Sequence, residues 1–390
     1  MEPITHFLTG ACIGRAGFNR KTAYATLAAT LAAEAADLDI LWGFAGPVRE
    51  LQHHRGITHT FWAAPVVAGV IVGSVWLYDR FLQARRSGRE NSSGSEPNAA
   101  PQASPPHQPI HWGWLYTAAL IAALSHLFLD WTNNYGLRPF FPFNPRWYAG
   151  SFMFIAEPVL WFLFFLAFFM PWIFGLIDRE IGGIRKRFRG RGWAIFALAG
   201  MLLLDCLRWA EHAQAQTLLE NGSVASAPVT RIGVEPYPIN PFHWHAILET
   251  PGFYQVAEVN TLHSTVDSDP RRDVMYKPED TPAVEAAKRT LLGQVYLDWG
   301  SWAVVRDVGQ EPIPGVDPPK LPLGRTWTTV EFSDLRFDYA FASDRGFVRR
   351  APLGGWVYIV GGRDTGVPTD RSSSAGWEEA AEGMGSREQH

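Results

Sequence analysis

Cysteine is scarce: Cys12 and Cys206 are the two in 390 residues, and both stand inside apolar stretches. Neither a disulfide framework nor a thiolate metal site can be built from them, so any metal must be held by imidazoles and carboxylates. Charge is sparse too. Asp, Glu, Lys and Arg make up 18% of the chain against 47% hydrophobic and 14% aromatic residues, which excludes a disordered chain. A basic excess is missing as well, since the formal net charge is -4; a phosphate backbone finds no attracting field, and nucleic acid is excluded as a partner. The opening Met-Glu-Pro-Ile-Thr-His lacks the basic start, apolar core and cleavage site of a secretory signal, so the mature chain is expected to begin at Met1 or Glu2.

Long apolar runs take the place of what is lacking. The mean hydropathy of -0.06 averages a very apolar first half, up to about Ala213, with a polar second half. Residues 57–78, 112–131, 152–177 and 193–209 each supply the roughly 20 residues of apolar helix that a bilayer crossing requires. Ahead of them, residues 4–15 and the alanine-rich 21–36 read as a helical hairpin turning at Gly17-Phe18-Asn19. Strict alternation puts the hairpin turn (Arg15, Arg20, Lys21), the segment after the first span (Arg80 to Arg89) and the loop at 178–192 on one side. That side carries thirteen Arg and Lys; the other carries four, Arg49, Arg55, Arg138 and Arg146. The basic side is the cytoplasmic one, so both chain ends are expected outside. Seventeen Trp, several near span ends, fit an interfacial belt.

The expected fold is therefore an α-helical polytopic membrane domain over 1–213, four long spans plus an N-terminal helical hairpin, followed by a small β-rich extracytoplasmic domain over 214–362. The β-like runs are 254–259, 302–305, 327–332 and 355–360, separated by Pro, Gly and Asp turns. Residues 83–111 read as a flexible cytoplasmic linker and 363–390 as a disordered tail.

Ionisable groups gather where the spans meet the outer side. They are Asp37 and Asp39; His53, His54, Arg55 and His59; His126 and Asp130; and Glu157 before Pro158. Each has an ordinary alternative. The Asp pair can be a solvated helix end, the His-rich segment an anchor, and Glu157 the opening of its helix, where a carboxylate favours the positive dipole end. His126 and Asp130, at i, i+4 on an apolar helix, share one stripe, and such groups are costly in lipid unless paired, hydrated or metal-bound. His6 is expected on the same side but roughly 12 Å deeper than Asp37, counting about 1.5 Å per residue from the turn. His243, His245 and His263 read as strand packing and surface. Imidazoles with carboxylates from four segments suit Zn²⁺, with Mn²⁺ or Fe²⁺ possible, and more than four ligands can hold two ions. The chemistry implied is metal-activated water.

At these residues the sequence resembles the bacterial family of membrane-bound metal-dependent hydrolases. The resemblance rests on Thr5-His6, Ala36-Asp37-Leu38-Asp39, His54-Arg55-Gly56-Ile57-Thr58-His59 and the run from Ser125 through His126 and Asp130 to Gly136, with Pro142-Phe143 following. It covers about residues 1–210, and the Pro-Phe-His-Trp run at 241–244 is similar to the start of that family's outer domain. Ala36 stands where the family tends to have Pro, and Glu157 where it has Asp. The His-x-x-x-Asp helix also resembles the ligand pair of zinc-dependent phospholipases C. The resemblance implies a multi-pass inner-membrane hydrolase acting on an ester or phosphoester of a lipid or envelope-derived substrate. The expected ligands are Asp37, Asp39, His59, His126 and Asp130, then His6 and His54. Arg55 is expected to bind the anionic group and Glu157 to act as base or outer ligand, with His54 also among the catalytic residues. The competing readings are a non-catalytic metal-binding sensor, transporter or scaffold, and a polar cluster without any ion.

Overall fold

The structure is a computed structural model that describes residues 1–92, 108–181, 189–222, 225–269, 271, 273–313, 315–339, 353–361 and 378–384. An α-helical part containing four helices long and apolar enough to cross a membrane precedes a β-sheet-rich C-terminal part, as the sequence leads one to expect. In chain order the helices are α1 (Pro3–Ile13), α2 (Asn19–Lys21), α3 (Ala25–Glu34), α4 (Pro47–His53), α5 (Ala63–Ser92), α6 (Trp112–Thr132), α7 (Pro158–Glu180), α8 (Arg191–Asn221), α9 (Pro282–Lys288) and α10 (Leu291–Trp299). By contact the chain divides into two compact units, Met1–Asp39, Arg55–Ala210 and Pro238–Asn240 in the first, Ile40–His54, Glu211–Tyr237 and Pro241–His390 in the second.

In the first unit α1 and α3 form the expected hairpin. Glu2 caps α1 by accepting from the Thr5 N–H, and Pro3 occupies its first turn. The two helices touch backbone to backbone at a glycine pair four residues apart. A Cβ at Gly10 would lie 2.6 Å from the Ala29 carbonyl oxygen, and one at Gly14 would lie 2.5 Å from Thr26 Cα. This small-residue spacing lets helices approach where lipid offers no hydrophobic drive. Ala29, Ala32 and Ala33 of α3 are buried against Ala118, Ala119 and Ala122 of α6 and Ala68 of α5. The outer faces of the spans carry exposed Val66, Leu77, Phe162, Trp172 and Leu203, an apolar surface that suits lipid.

Span boundaries differ from the sequence expectation where polar chemistry intervenes. The first long helix begins at Ala63 rather than residue 57, because Ile57–His59 is a 3₁₀ turn and the Thr60 hydroxyl accepts from the Ala63 N–H at 3.1 Å. The third begins at Pro158 rather than 152. Residues 150–153 are spent on the end of α6: Gly150 N–H donates to the Trp131 carbonyl, and Phe152 and Met153 N–H both donate to that of Thr132, satisfying carbonyls that have no helical partner. The fourth runs on to Asn221, well past 209. Helix α5 continues to Ser92, into the segment expected as linker from residue 83; residues 93–107 lie outside the described residues.

The second unit holds two antiparallel sheets. One runs β1 (Arg231–Pro236), β2 (His243–Glu249), β3 (Phe253–Asn260), β4 (Thr265–Asp267), with β5 (Val274–Tyr276) also pairing β3. The other runs β6 (Ala303–Gly309), β7 (Thr326–Asp334), β8 (Gly355–Gly361), β9 (Glu378–Met384). Ile247 of β2 packs with Trp302, Val304 and Leu335, so the two sheets share a core. The sequence runs at 254–259, 302–305, 327–332 and 355–360 fall on β3, β6, β7 and β8. Strand β2 is buried at five consecutive positions, Trp244 to Leu248, without alternation, which hides it from a period-2 reading. Helices α9 and α10, each capped by a threonine that accepts a backbone N–H, were not expected. Nor was β9: Glu378–Met384 lies in the segment expected as a disordered tail, and it forms a strand because the backbone groups of β8 there need a partner.

Candidate metal centre

His126 and Asp130, one turn apart on α6, point inward and are fully buried. The alanine-thin packing of α3 on α6 brings the Ala33 carbonyl oxygen to 2.6 Å from His126 Nδ1. A carbonyl can only accept, so Nδ1 carries the proton and Nε2 presents a lone pair. His59 is fixed in the same way. Its Nδ1 lies 3.2 Å from Asp39 Oδ2 and 3.1 Å from the Thr58 hydroxyl, which turns Nε2 toward His126.

Four ligand atoms then face one another. His59 Nε2 is 3.0 Å from His126 Nε2, 3.3 Å from Asp37 Oδ1 and 3.2 Å from Asp130 Oδ2. His126 Nε2 is 3.6 Å from Asp37 Oδ1 and 3.4 Å from Asp130 Oδ2. Donors at the about 2.0–2.1 Å of a tetrahedral zinc site stand roughly 3.3 Å apart. These separations fit that figure, and the group can hold a metal ion. The protonation pattern fits as well: two imidazole lone pairs and two carboxylate oxygens converge, and Asp130 Oδ2 is buried without a hydrogen-bond partner among the described residues. Electron-rich atoms so placed repel one another unless a cation lies between them.

Around this set, each further residue has a visible task. Asp39 was expected as a ligand; its Oδ2 stands behind His59 and accepts from the Arg55 backbone N–H at 2.8 Å and the Thr58 hydroxyl at 3.3 Å. Arg55, at φ 52°, was expected to await an anionic group. Its guanidinium instead binds Asp130 Oδ1 at 2.9 Å, the Gly136 carbonyl at 2.7 Å and Asn133 Oδ1 at 3.2 Å, and lies over the Tyr135 ring. His6 is not 12 Å away in depth. Its ring stacks on His126 with centroids 3.8 Å apart, and Nε2 is 3.3 Å from Asp130 Oδ1, an oxygen that also accepts from the Met1 amino group. The expected depth gap closes because the turn is lopsided: α3 starts at Ala25, so several residues counted as helical rise belong to the turn. Asp37 is the one member of the four that solvent reaches, with its side chain 18% exposed.

Two expected residues are not among the four. Glu157 precedes α7 without capping it, and pairs with Arg208 Nη2 of α8 at 2.7 Å, both fully buried. Arg208 was missed; an arginine inside an apolar span was the available signal. His54 belongs to the second unit, at the end of α4, where its N–H closes on the Glu50 carbonyl at 2.7 Å and its neighbour His53 stacks on Trp42.

Comparison with known proteins adds the following. A family model described as YdjM inner membrane protein matches residues 1–215. The uncharacterized protein YfhP of Bacillus subtilis (strain 168) is 26% identical over 183 residues, covering 45% of this chain and 47% of the relative. The chain thus spans about half the length of that curated relative. No solved structure matches.

Proposed function

The chain belongs to the family of YdjM inner membrane proteins, and on that premise we propose that it is a membrane-embedded, metal-dependent hydrolase of an ester or phosphoester in a lipid or envelope-derived substrate. The observation that carries the reading is the convergence of Asp37, His59, His126 and Asp130. These four would hold the metal, Zn²⁺ being the best match to two imidazoles and two carboxylates. A bound divalent ion would lower the pKa of water to near neutrality and polarise the bond to be cleaved.

The chain's own residues do the rest. Asp39 and the Ala33 carbonyl hold His59 and His126 in the tautomers that expose Nε2, as outer-shell partners of metal-bound histidines do. Arg55 and His6 hold Asp130 through its other oxygen, which fixes the direction of Oδ2. Asp37, at the solvent-reached edge, would accept a proton from water on the carboxylate oxygen that does not face the histidines. The thirteen-to-four loop bias supports an extracytoplasmic position for this centre and the C-terminal part.

One observation favours the second reading, a metal-binding protein without catalysis. Arg55 is engaged by Asp130 and the 133–136 loop, which leaves fewer of its N–H groups for an anionic group. The test is elemental analysis of detergent-purified protein beside Asp130→Ala, followed by hydrolysis assays on lipid phosphoesters and esters in mixed micelles. Stoichiometric metal that is lost in the variant, with hydrolysis lost in parallel, is the expected result. Metal without hydrolysis would select the second reading, and absence of metal after reconstitution would overturn both.

A further inference from the structure

The apolar run of the first span begins at Ile57 and holds no Asp, Glu, Lys or Arg up to Tyr78, whereas α5 begins at Ala63. Residues 57–62 are thus as apolar as a span without being part of its helix. Their side chains are sorted by direction. On the 3₁₀ turn Ile57–His59 the His59 ring is fully buried, and Ile57 is 65% exposed. Phe61 and Trp62 are exposed as well, as is Leu38, the chain neighbour of Asp37.

A second loop of the same compact unit stands against this one. Residues 139–145 read Pro-Phe-Phe-Pro-Phe-Asn-Pro, without a charge. The loop is pinned at its base, where Leu137 and Tyr148 exchange both backbone hydrogen bonds at 2.9 Å. The Pro139 carbonyl accepts from the Phe61 N–H at 3.1 Å, the Phe140 and Phe61 rings have centroids 5.5 Å apart, and Phe143 meets Trp62 edge-on at 5.8 Å. Phe143 is still 81% exposed. Arg146, exposed, ends the apolar stretch with its guanidinium over the Tyr148 ring.

Two observations say what covers these side chains. The first is continuity: from Trp62 the exposed positions step by one helical turn to Val66 and Val70, the stripe that α5 turns to lipid. The second is the backbone. Non-helical main chain reaches lipid depth only where its hydrogen bonds are made inside the protein. Here the His59 N–H donates to the Gly56 carbonyl, the Phe141 N–H to that of Arg138, the Asn144 N–H to that of Phe140, and the Thr60 hydroxyl to that of Ile57. Aromatic and apolar side chains on such a backbone, with an arginine at the edge, match the boundary between acyl chains and headgroups.

We propose that the loops at 57–62 and 137–148 insert into the leaflet at this end of the spans, and that the substrate of the metal centre is a bilayer lipid that reaches it from within that leaflet. The substrate half rests on the hydrolase reading; the insertion half does not. Ile57 and Phe61 flank His59 in the chain and Leu38 adjoins Asp37, so the inserted side chains hold these ligands at headgroup depth, where the ester and phosphoester bonds of a lipid lie. A water-soluble phosphoester has nothing to bind on that apolar rim.

The test uses full-length protein in nanodiscs of palmitoyl-oleoyl phosphatidylcholine. An environment-sensitive fluorophore is attached to Cys206→Ser/Phe143→Cys, in which the remaining Cys12 is buried. Insertion predicts blue-shifted emission that a lipid carrying a doxyl group beside its headgroup quenches and aqueous iodide does not. Emission as in buffer, quenched by iodide, would overturn the proposal. Hydrolysis is then compared on dioleoyl and dihexanoyl forms of phosphatidylglycerol and phosphatidylethanolamine, the same headgroups with and without bilayer-forming chains. Trp62→Ser/Phe143→Ser is expected to raise KM for dioleoyl vesicles about tenfold, with kcat, bound metal and the dihexanoyl rate as in wild type. If wild type prefers the dihexanoyl forms, or the double variant loses both equally, access from the leaflet is refuted. If wild type hydrolyses neither form although the fluorophore is inserted and metal is bound, the hydrolase reading falls and the inserted loops stand.

Discussion

The two compact units are packed by opposite means. The first is filled with methyl groups and hydrogens: Ala29, Ala32 and Ala33 against Ala118, Ala119 and Ala122, with Gly10 and Gly14 at the tightest approach. The second is filled with rings: Trp244, Tyr296, Trp299 and Phe332 are fully buried, and Trp299 stacks on Phe337. The difference bears on how each brings distant residues together. Thin helices let three separate segments bring His59, His126, Asp37 and Asp130 within 3.6 Å of neighbouring ligand atoms. In the sheet, strand register alone aligns His245 with Glu258.

Breaking the contrast calls for opposite substitutions. Truncation should hurt the ring-filled unit most: Trp299→Ala removes a large buried side chain and is expected to cost about 3–5 kcal/mol, read as a lowered denaturation midpoint. An unchanged midpoint would mean the stacked core is not what holds that unit. Enlargement should hurt the alanine-packed unit: Gly10→Leu drives a side chain into the Ala29 carbonyl and the Ala33 methyl, both within 2.7 Å of the added Cβ, and should cost about 1–3 kcal/mol. Because His6 lies one turn before Gly10, metal retention at the centre should fall as well; a variant with full stability and full metal would refute the close α1–α3 contact. The smallest effect sharpens the role of Asp39. Asp39→Asn leaves all four converging atoms in place but weakens the hold on His59, so metal affinity should drop about 10–100-fold without loss of fold, measured by competition with a chromogenic chelator. Complete loss of metal would make Asp39 a ligand instead.

Much of the centre was legible in the chain. The i, i+4 spacing of His126 and Asp130, the Asp-x-Asp pair and the His-rich segment before a span all pointed to one place, and Asp37, His59, His126 and Asp130 do meet there. Division of labour was not legible. Asp37 and Asp39 look alike in sequence, yet one faces the other three ligand atoms and its neighbour braces His59 from behind, a choice made by the 3₁₀ winding of residues 35–45. Arg55 looked like a free cation and is bound by Asp130, Asn133 and Gly136. Glu157 looked like a helix opener, and its arginine partner lies 51 residues away.

By itself the sequence determined the periodicities: where apolar runs are long enough to span, which side of the spans carries the basic loops, and which ionisable types are available for a metal. These follow from local composition, because the bilayer and the backbone impose fixed lengths and repeats. Only the tertiary structure decided which atoms meet. Ligand convergence depends on helix approach distances set by Gly10, Gly14 and the alanines, and the pairs across the sheet on strand register in the second unit. Both bring together residues far apart in the chain, such as His6 with Asp130 and His245 with Leu335, and no local pattern encodes a contact at that range.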